Sequence, residues 1–358
     1  MASSILQVES IVKRAAQQAG FELAGIAPAA DSPELQTFPE WIAAGHAGEM
    51  KYMEARDERG DLKRGSLSSV APWARSVIVC AINYNTDHAY STELHDPSRG
   101  WISRYAWSRE DYHDAVLRRL EQVEAALHQS VEQSYPELIT RSYVDTGPVV
   151  ERVFAKYAGV GWIGKNTCII NQKIGSWLFL GVILTSFELT PDVPAPDRCG
   201  TCTRCIEACP TDAILAPYQL DANRCISYLT IEKRGSIPEE LRAGMGRHVF
   251  GCDICQDVCP WNRKAPTTTA TEFSAREGLV NPALDWLAEM SAEGFRETFR
   301  GSPIMRTKRS GLRRNAVIAM GNSGNRQFLP LLEALLLDED EGVADGARWA
   351  AQKLRNPL

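Results

Sequence analysis

The segment Cys199-Gly-Thr-Cys202-Thr-Arg-Cys205-Ile-Glu-Ala-Cys209-Pro210 is the most informative stretch of this 358-residue chain. A second set of cysteines follows, with Cys225 and then Cys252-Asp-Ile-Cys255-Gln-Asp-Val-Cys259-Pro260. Together the two sets contain eight of the ten cysteines. Each set ends in a cysteine before proline, which is the spacing of bacterial proteins that bind two [4Fe–4S] clusters. The sequence therefore predicts a domain with two such clusters.

The spacing also predicts which cysteines bind which cluster. Three closely spaced thiolates surround one cluster, while the cysteine before proline reaches the other. The first cluster is assigned Cys199, Cys202, Cys205 and Cys259, and the second is assigned Cys209, Cys225, Cys252 and Cys255. Structural zinc is the alternative, because repeated C-x2-C spacings also bind zinc. The first run is too tight for an ordinary zinc finger and contains no histidine, which favours iron–sulfur clusters.

The composition is that of an ordinary globular protein, with 44% hydrophobic and 23% charged residues. The N-terminal segment carries Glu9, Lys13 and Arg14, and it lacks the apolar run and the twin arginine of export signals. No stretch is apolar enough for a membrane span. We therefore expect a cytoplasmic protein without membrane contacts, where cluster thiolates stay reduced. The net charge of −6 excludes general coating of nucleic acid but allows a local basic face.

Apolar periodicity predicts three domains: an α/β domain at 1–190, a cluster domain at 191–265 and a helical tail at 266–358. In the first domain, strands are predicted at 21–26, 77–84, 142–145 and 177–185, and helices at 6–19, 111–133 and 148–159. In the tail, helices are predicted at 312–320, 328–337 and 342–353. Their succession resembles stacked HEAT-type helical hairpins. Cys80 and Cys168 lie in apolar runs and are expected to be buried and inert.

An aspartate stands where a predicted strand meets a helix, in the segment Tyr143-Val-Asp-Thr-Gly-Pro148. Asp145 there either faces a pocket or caps the following helix, and the residues alone favour the cap. Gly159, Gly161 and Gly164 would let the backbone approach a large flat ligand. Their Gly-x-Gly-x-x-Gly spacing follows a predicted helix rather than a strand, which excludes a dinucleotide-binding interpretation.

A basic run without acidic residues lies between Gly301 and Arg314. It contains Arg306, Lys308, Arg309, Arg313 and Arg314. Such a run forms either solvated helix surface or a patch that contacts phosphates, and the sequence does not favour one over the other. Lys233 and Arg234 are candidates to extend the patch.

Several segments, in this order, resemble the epoxyqueuosine reductases. They are VDTGPVVER (144–152), AGVGWIGKN (158–166), PTDAI (210–214), RCISYLTIEKRG (224–235), IPEELR (237–242) and GCDICQDVCPWN (251–262). The resemblance covers nearly the whole chain. It implies a cobalamin-dependent iron–sulfur enzyme that reduces epoxyqueuosine to queuosine at the wobble position of tRNA, the last step of queuosine synthesis. It further implies a nitroreductase-like cobalamin-binding domain, a ferredoxin-like cluster domain and a HEAT-like tail that binds tRNA.

The resemblance also implies roles for individual residues. Asp145 becomes the proton donor, because removing an epoxide oxygen as water consumes two electrons and two protons. To hold a proton near neutral pH, Asp145 would need burial beside the corrin to raise its pKa. The implied corrin contacts are Arg64, Asp145, Lys165, Asn166, Ile169, Asn171, Leu180, Ser227 and Tyr228. The segment Asp111-Tyr-His113 lacks the glycine of the Asp-x-His-x-x-Gly cobalamin motif, so His113 is not predicted to bind cobalt and the cofactor is expected base-off.

The implied partners are tRNA carrying epoxyqueuosine and an external electron donor of the flavodoxin or ferredoxin type, with the enzyme itself a monomer. A reductive dehalogenase is the nearest alternative enzyme, since it also pairs base-off cobalamin with two [4Fe–4S] clusters. Such enzymes usually carry a twin-arginine signal and lack a helical tail. A ferredoxin-type electron carrier is the alternative from another class, and it would leave the first domain without a role.

Overall fold

The computed structural model describes residues 2–356, and their side chains from residue 7 onward. The chain folds into two units, each assembled from three separate segments. Unit 1 contains Met1–Asn85, Tyr112–Cys202 and Pro260–Thr271. Unit 2 contains Thr86–Asp111, Thr203–Cys259 and Glu272–Leu358.

Ten strands occur among the described residues. They are β1 (Leu23–Pro28), β2 (Ser76–Asn83), β3 (Trp101–Ile102), β4 (Thr140–Tyr143), β5 (Trp162–Ile163), β6 (Ile169–Ile170), β7 (Leu178–Thr185), β8 (Ile214–Ala216), β9 (Gln219–Leu220) and β10 (His248–Phe250). In unit 1, four strands form one sheet in the order β1-β2-β7-β4, and every neighbouring pair is antiparallel. These four are the strands that the sequence predicted, displaced by one or two residues at their ends.

Helices cover both faces of this sheet. Those of unit 1 are α1 (Ala2–Gln18), α2 (Pro33–Gln36), α3 (Phe38–Ala43), α4 (Tyr112–Val131) and α5 (Glu151–Tyr157). Val182 of β7 belongs to the core beneath α5, while a side chain at the adjacent Gly181 would lie 2.7 Å from Leu120 of α4. Since adjacent residues of a strand point to opposite faces, α5 and α4 lie on opposite sides. This double cover explains why all eight residues of β2 are buried.

Unit 2 is mainly helical. Its helices are α6 (Arg204–Glu207), α7 (Ile226–Ile231), α8 (Glu239–Arg242), α9 (Ile254–Asp257), α10 (Leu284–Ala288), α11 (Ala292–Phe299), α12 (Lys308–Ser323), α13 (Leu329–Ala334) and α14 (Glu341–Arg355). The three predicted tail helices correspond to α12, α13 and α14. Helix α12 is at the centre, and α7, α10, α14 and β10 all pack against it. Residues 311–321 are therefore buried on every side of the helix.

Two polar residues in the middle of α12 connect it to the segment that follows Cys225. Arg314 is only 2% exposed, and its guanidinium donates hydrogen bonds to the backbone oxygens of Lys233 and Gly235, at 2.8 and 2.7 Å. The amide of Asn315 donates to the oxygens of Thr230 and Val249, each at 2.8 Å. These bonds satisfy backbone oxygens in the last turn of α7 and just beyond it, and that of Val249 within β10.

We predict that Arg314→Met destabilises the protein by about 3 kcal/mol, because it leaves several buried carbonyl oxygens without a donor. Lys308→Met is the matched control, since Lys308 starts the same helix and its side chain is exposed. The control should change the free energy of unfolding by less than about 0.5 kcal/mol. Urea denaturation of both variants measures the difference. Equal midpoints would mean that the Arg314 bonds contribute little.

Candidate functional site

The pairing of β4 with β7 stops halfway along β7. Tyr143, the last residue of β4, lies opposite Val182, so residues 178–181 of β7 have no neighbour on that side among the described strands. Leu178 and Leu180 in this uncovered half are only partly buried, although they pack against the apolar core. The result is an open apolar strip beside the turn that follows β4.

Asp145 lies in this turn. Its φ of 56° is in the left-handed region that non-glycine residues rarely adopt. The turn is fixed by a 2.6 Å bond from the N–H of Thr146 to the oxygen of Val144, and by a 2.8 Å bond from Arg64 Nη2 to the oxygen of Gly147. Helix α5 begins only at Glu151. The interpretation of Asp145 as a helix cap is therefore wrong.

The Asp145 carboxylate is accessible and ionised. The Tyr112 hydroxyl donates to its Oδ2 at 2.8 Å, His113 Nε2 lies 3.8 Å from the same oxygen, and the side chain is 67% exposed. The close approach of His113, together with the Tyr112 hydrogen bond, outweighs the desolvation caused by surrounding atoms and lowers the pKa of Asp145 to about 2. The raised pKa that a proton donor near neutral pH requires is not found at Asp145 itself.

Two neighbours in the first turn of α5 were missed by the sequence analysis. Burial, reinforced by the charge of Asp145, raises the pKa of Glu151 to about 7. Arg152 donates to the oxygen of Thr167 at 3.1 Å, and the nearby acidic groups, among them Asp145, raise its pKa against the effect of burial. Acidic residues are common in the first turn of any helix, so Glu151 carries no distinctive signal in the sequence.

The loop at 164–171 is held by side chains that the resemblance assigned to the corrin. Lys165 Nζ donates to the backbone oxygens of Gly200 and Cys202 at 2.6 and 3.0 Å. The Asn171 amide donates to the oxygen of Val160 at 2.7 Å, while Asn166 and Ile169 are buried at 5% and 4% exposure. These four side chains therefore stabilise the loop and its connection to the first cysteine run.

Ser227 and Tyr228 lie in unit 2, in the first turn of α7. Cys225 precedes this helix as its N-cap residue. Burial raises the pKa of the Cys225 thiol, and the backbone N–H groups of Tyr228 and Ser227 lower it. The backbone N–H groups of the two residues are therefore directed at the Cys225 sulfur.

Three cysteines assigned to the second cluster lie close together in unit 2. Burial raises the pKa of Cys252 well above its usual value, and the charges of Cys225 and Cys209 raise it further. Asp253, next to Cys252, accepts hydrogen bonds from Trp101 Nε1 at 3.0 Å and from the N–H of Arg104 at 2.8 Å. Thiols placed close together in this way are the ligand type of an iron–sulfur cluster.

Cys80 and Cys168 differ from the cluster cysteines and from each other. Cys80 is fully buried in β2, and burial raises the pKa of its thiol to about 12. It is inert, as the sequence predicted. Cys168 is only half-buried, and it lies near the Arg152 side chain.

The basic run is largely a structural element. Arg313 is paired with Asp338, with 2.6 Å between Nη2 and Oδ2, and both side chains are buried. Arg306 is paired with Glu232 at 2.5 Å and Arg309 with Glu339 at 3.2 Å. The assignment of Arg313 and Arg314 to phosphate binding is therefore wrong, because their guanidiniums are buried and bound within the protein. Lys308 and Arg306 remain exposed.

Comparison with known proteins identifies the family. A family model described as "4Fe-4S double cluster binding domain" matches residues 198–262, and one described as "Epoxyqueuosine reductase QueG, DUF1730" matches residues 64–146. An epoxyqueuosine reductase of Synechocystis sp. is 44% identical over 297 residues, covering 82% of this chain and 98% of the relative. One of Vibrio cholerae is 41% identical over 351 residues, covering 97% and 92%. The chain belongs to the epoxyqueuosine reductase family.

Solved structures of epoxyqueuosine reductases have the same fold. One, crystallised with a tRNA-Tyr stem loop carrying epoxyqueuosine, has a TM-score of 0.86 and 29% identity, covering 99% of this chain and 92% of that one. Another is from Bacillus subtilis and has its catalytic loop swung out of the active site. It has a TM-score of 0.85 and 29% identity, and it also covers 99% of this chain and 92% of that one.

Family membership confirms the predicted activity. The chain is an oxidoreductase that reduces epoxyqueuosine in tRNA, the last step of queuosine formation. It contains the predicted [4Fe–4S] double-cluster domain with its eight cysteines, and not a pair of zinc sites. The dehalogenase and electron-carrier alternatives are not supported. Among the described helices, none is both long and apolar enough to cross a membrane.

We predict that Cys225→Ala removes one cluster and leaves the other, because the two ligand sets share no cysteine. Iron should fall from about eight to about four atoms per chain. Cys80→Ala is the control and should keep the full content, since this cysteine belongs to neither set. Iron and sulfide assays with electron paramagnetic resonance of anaerobically purified protein measure the outcome. Loss of both clusters, or bound zinc, contradicts the assignment.

Proposed function

We propose that this enzyme uses a base-off cobalamin bound beside Asp145 and supplied with electrons by its two [4Fe–4S] clusters. The supporting observation is the uncovered half of β7, where Leu178 and Leu180 form an apolar strip next to the accessible Asp145 carboxylate. Such a surface fits one face of a flat, largely apolar corrin ring. Bound cobalamin would supply the two electrons as strongly reducing cobalt.

In this proposal the residues of the chain position the substrate and move protons. Asp145 gives a proton to the epoxide oxygen, which then leaves as water after two electrons and two protons are consumed. Tyr112 orients the carboxylate through its 2.8 Å bond to Oδ2. His113 lies 3.8 Å from the same oxygen, which supports a place beside Asp145 rather than at the cobalt.

The other residues assigned to the corrin also stay part of the proposal, but the structure supports them in different ways. Leu180 belongs to the apolar strip, and Arg64 holds the Asp145 turn through Gly147. In the loop at 164–171 the assigned side chains are engaged within the protein, so we propose that this loop contacts the corrin through its backbone; they are Lys165, Asn166, Ile169 and Asn171. Ser227 and Tyr228 stay proposed contacts at the start of α7.

The finer fold assignments are proposed as well. A nitroreductase-like fold is proposed for 1–190, a ferredoxin-like domain for 191–265 and a HEAT-like repeat for 266–358. The packing of α13 and α12 against α14 supports the helical repeat. We further propose a cytoplasmic monomer that receives electrons from a flavodoxin or ferredoxin, because reduced thiolates persist in that compartment.

We propose that tRNA carrying epoxyqueuosine binds to the exposed part of the basic run. The support is a related structure with a modified tRNA stem loop, and the exposure of Arg234, Arg306 and Lys308. Lys233 and Arg309 are half-buried and lie beside these residues in the sequence. Contacts of this kind provide affinity with little sequence information, so recognition of the anticodon base would belong to the active site.

Asp145→Ala should separate binding from chemistry. We expect the variant to retain cobalt after anaerobic incubation with cobalamin as well as wild type, and to bind tRNA normally. Queuosine formation should fall by about two or more orders of magnitude, as expected for loss of a general acid. Cobalt assay, visible spectroscopy and nucleoside analysis of tRNA measure these effects. Wild-type protein that never retains a corrinoid would contradict the cofactor proposal, and near-normal turnover of the variant would contradict the role of Asp145.

Reversal of two exposed charges tests the tRNA surface. The double variant Arg306→Glu/Lys308→Glu should raise the apparent KM for tRNA and flatten its dependence on salt, because fewer counterions are released on binding. Reduction of the clusters by dithionite should not change. The control reverses two exposed arginines outside the run, Arg14→Glu and Arg141→Glu. Equal behaviour of the two double variants would identify the run as solvated surface.

A further inference from the structure

The reaction needs more protons than Asp145 can supply alone. Conversion of an epoxide to an alkene and water delivers two protons to one oxygen, and a single carboxyl group carries one. In this structure Asp145 is an anion, because His113 and Tyr112 lower its pKa to about 2. A second group near Asp145 must therefore hold a proton between turnovers.

The groups that act on Asp145 come from two helices. Helix α4 contributes Tyr112, whose hydroxyl donates to the carboxylate at 2.8 Å, and His113, whose Nε2 lies 3.8 Å away and favours the carboxylate's charge. Helix α5 contributes Arg152, whose positive charge has the same effect, and Glu151. Only Glu151 in this set is a carboxyl group, the kind of acid that can hold and release a proton near neutral pH when it is buried.

The placement of Glu151 suits a protonated carboxyl. Its Oε1 is shielded from solvent and has no hydrogen-bond partner among the described residues. The backbone N–H groups of Glu151 and of Asp145 approach the carboxyl, so it reaches back from α5 to the Asp145 turn. A buried carboxylate oxygen without a donor is costly, whereas a protonated oxygen carries its own donor.

We infer that Glu151 is the proton-holding partner of Asp145 and supplies it with a proton in every turnover. The inference rests on the proposed role of Asp145. In each transfer, the O–H bond of Glu151 breaks and an O–H bond forms on Asp145, which then protonates the leaving oxygen. Glu151 regains a proton from solvent and passes it on in the same way, so that two protons reach the oxygen in one turnover and it leaves as water. The two electrons are those that the established reduction of epoxyqueuosine consumes.

The opposite pKa values of the two carboxyl groups support this assignment. Burial, and then the charge of Asp145, raise the pKa of Glu151 to about 7, whereas that of Asp145 is about 2. Between these values the pair carries one proton, and it resides on Glu151. Neighbouring acids whose environments separate their pKa values in this way commonly divide the roles of proton store and anion. As the pH rises through about 7, Glu151 loses its proton and the supply ends.

Glu151→Gln in the full holoenzyme tests the inference, because glutamine has the same shape but cannot transfer a proton. We expect kcat to fall about tenfold to a hundredfold with KM for tRNA unchanged. Wild-type kcat should decline as the pH rises above about 7, and this decline should be absent in the variant. Infrared titration of carboxyl groups should show one acid titrating near 7 in wild type that is missing in Glu151→Gln.

Glu22→Gln is the matched control. Glu22 is also partly buried, has a raised pKa and accepts a backbone N–H, that of Asn83 at 3.0 Å. The control should keep the wild-type pH profile and kcat. The inference is overturned if Glu151→Gln retains the wild-type pH profile, or if its infrared titration equals that of wild type. If instead the proposed role of Asp145 is wrong, the Asp145→Ala variant should turn over normally, which distinguishes the two outcomes.

Discussion

The early end of the β4–β7 pairing is the constraint on which the rest of the site depends. If β4 continued beyond Tyr143, its backbone would cover residues 178–181 of β7, and the apolar strip would be closed. Because it leaves the sheet there, the chain turns at Asp145 and places a carboxylate beside the partly buried leucine side chains of β7. Polar and apolar surfaces thus meet at one sheet edge, as binding a flat cofactor next to a proton donor requires.

Short-range features of the sequence predicted the fold and the clusters well. The cysteine spacing is set by cluster geometry, and the strands of the central sheet are apolar runs, so both are visible locally. The basic run was misjudged because burial depends on tertiary packing. A run such as Arg313–Arg314 normally indicates surface, and only the packing of α7, α10 and α14 around α12 buries it.

The site was only partly predictable for a similar reason. Asp145 could be selected through the resemblance, but its ionisation depends on Tyr112 and His113, which are distant in sequence. For the residues assigned to the corrin, the sequence marks the right loop but not the role of each side chain. A motif such as Gly164–Asn171 marks a functional loop, but it does not distinguish side chains that touch a ligand from those that hold the loop, as Lys165 and Asn171 do.

The turn that makes Asp145 accessible is held by few contacts. The turn is held by single hydrogen bonds from Tyr112, Arg64 and Thr146, and the Asp145 side chain buries little surface. Segments with few buried contacts open at low free-energy cost, while the sheet and α12 stay rigid. A Bacillus subtilis relative has been seen with its catalytic loop swung out of the active site. In this chain the exposed Asp145 carboxylate lies on a lightly held turn, whereas the buried Glu151 lies at the start of a helix, so the accessible anion and the proton store belong to separate elements.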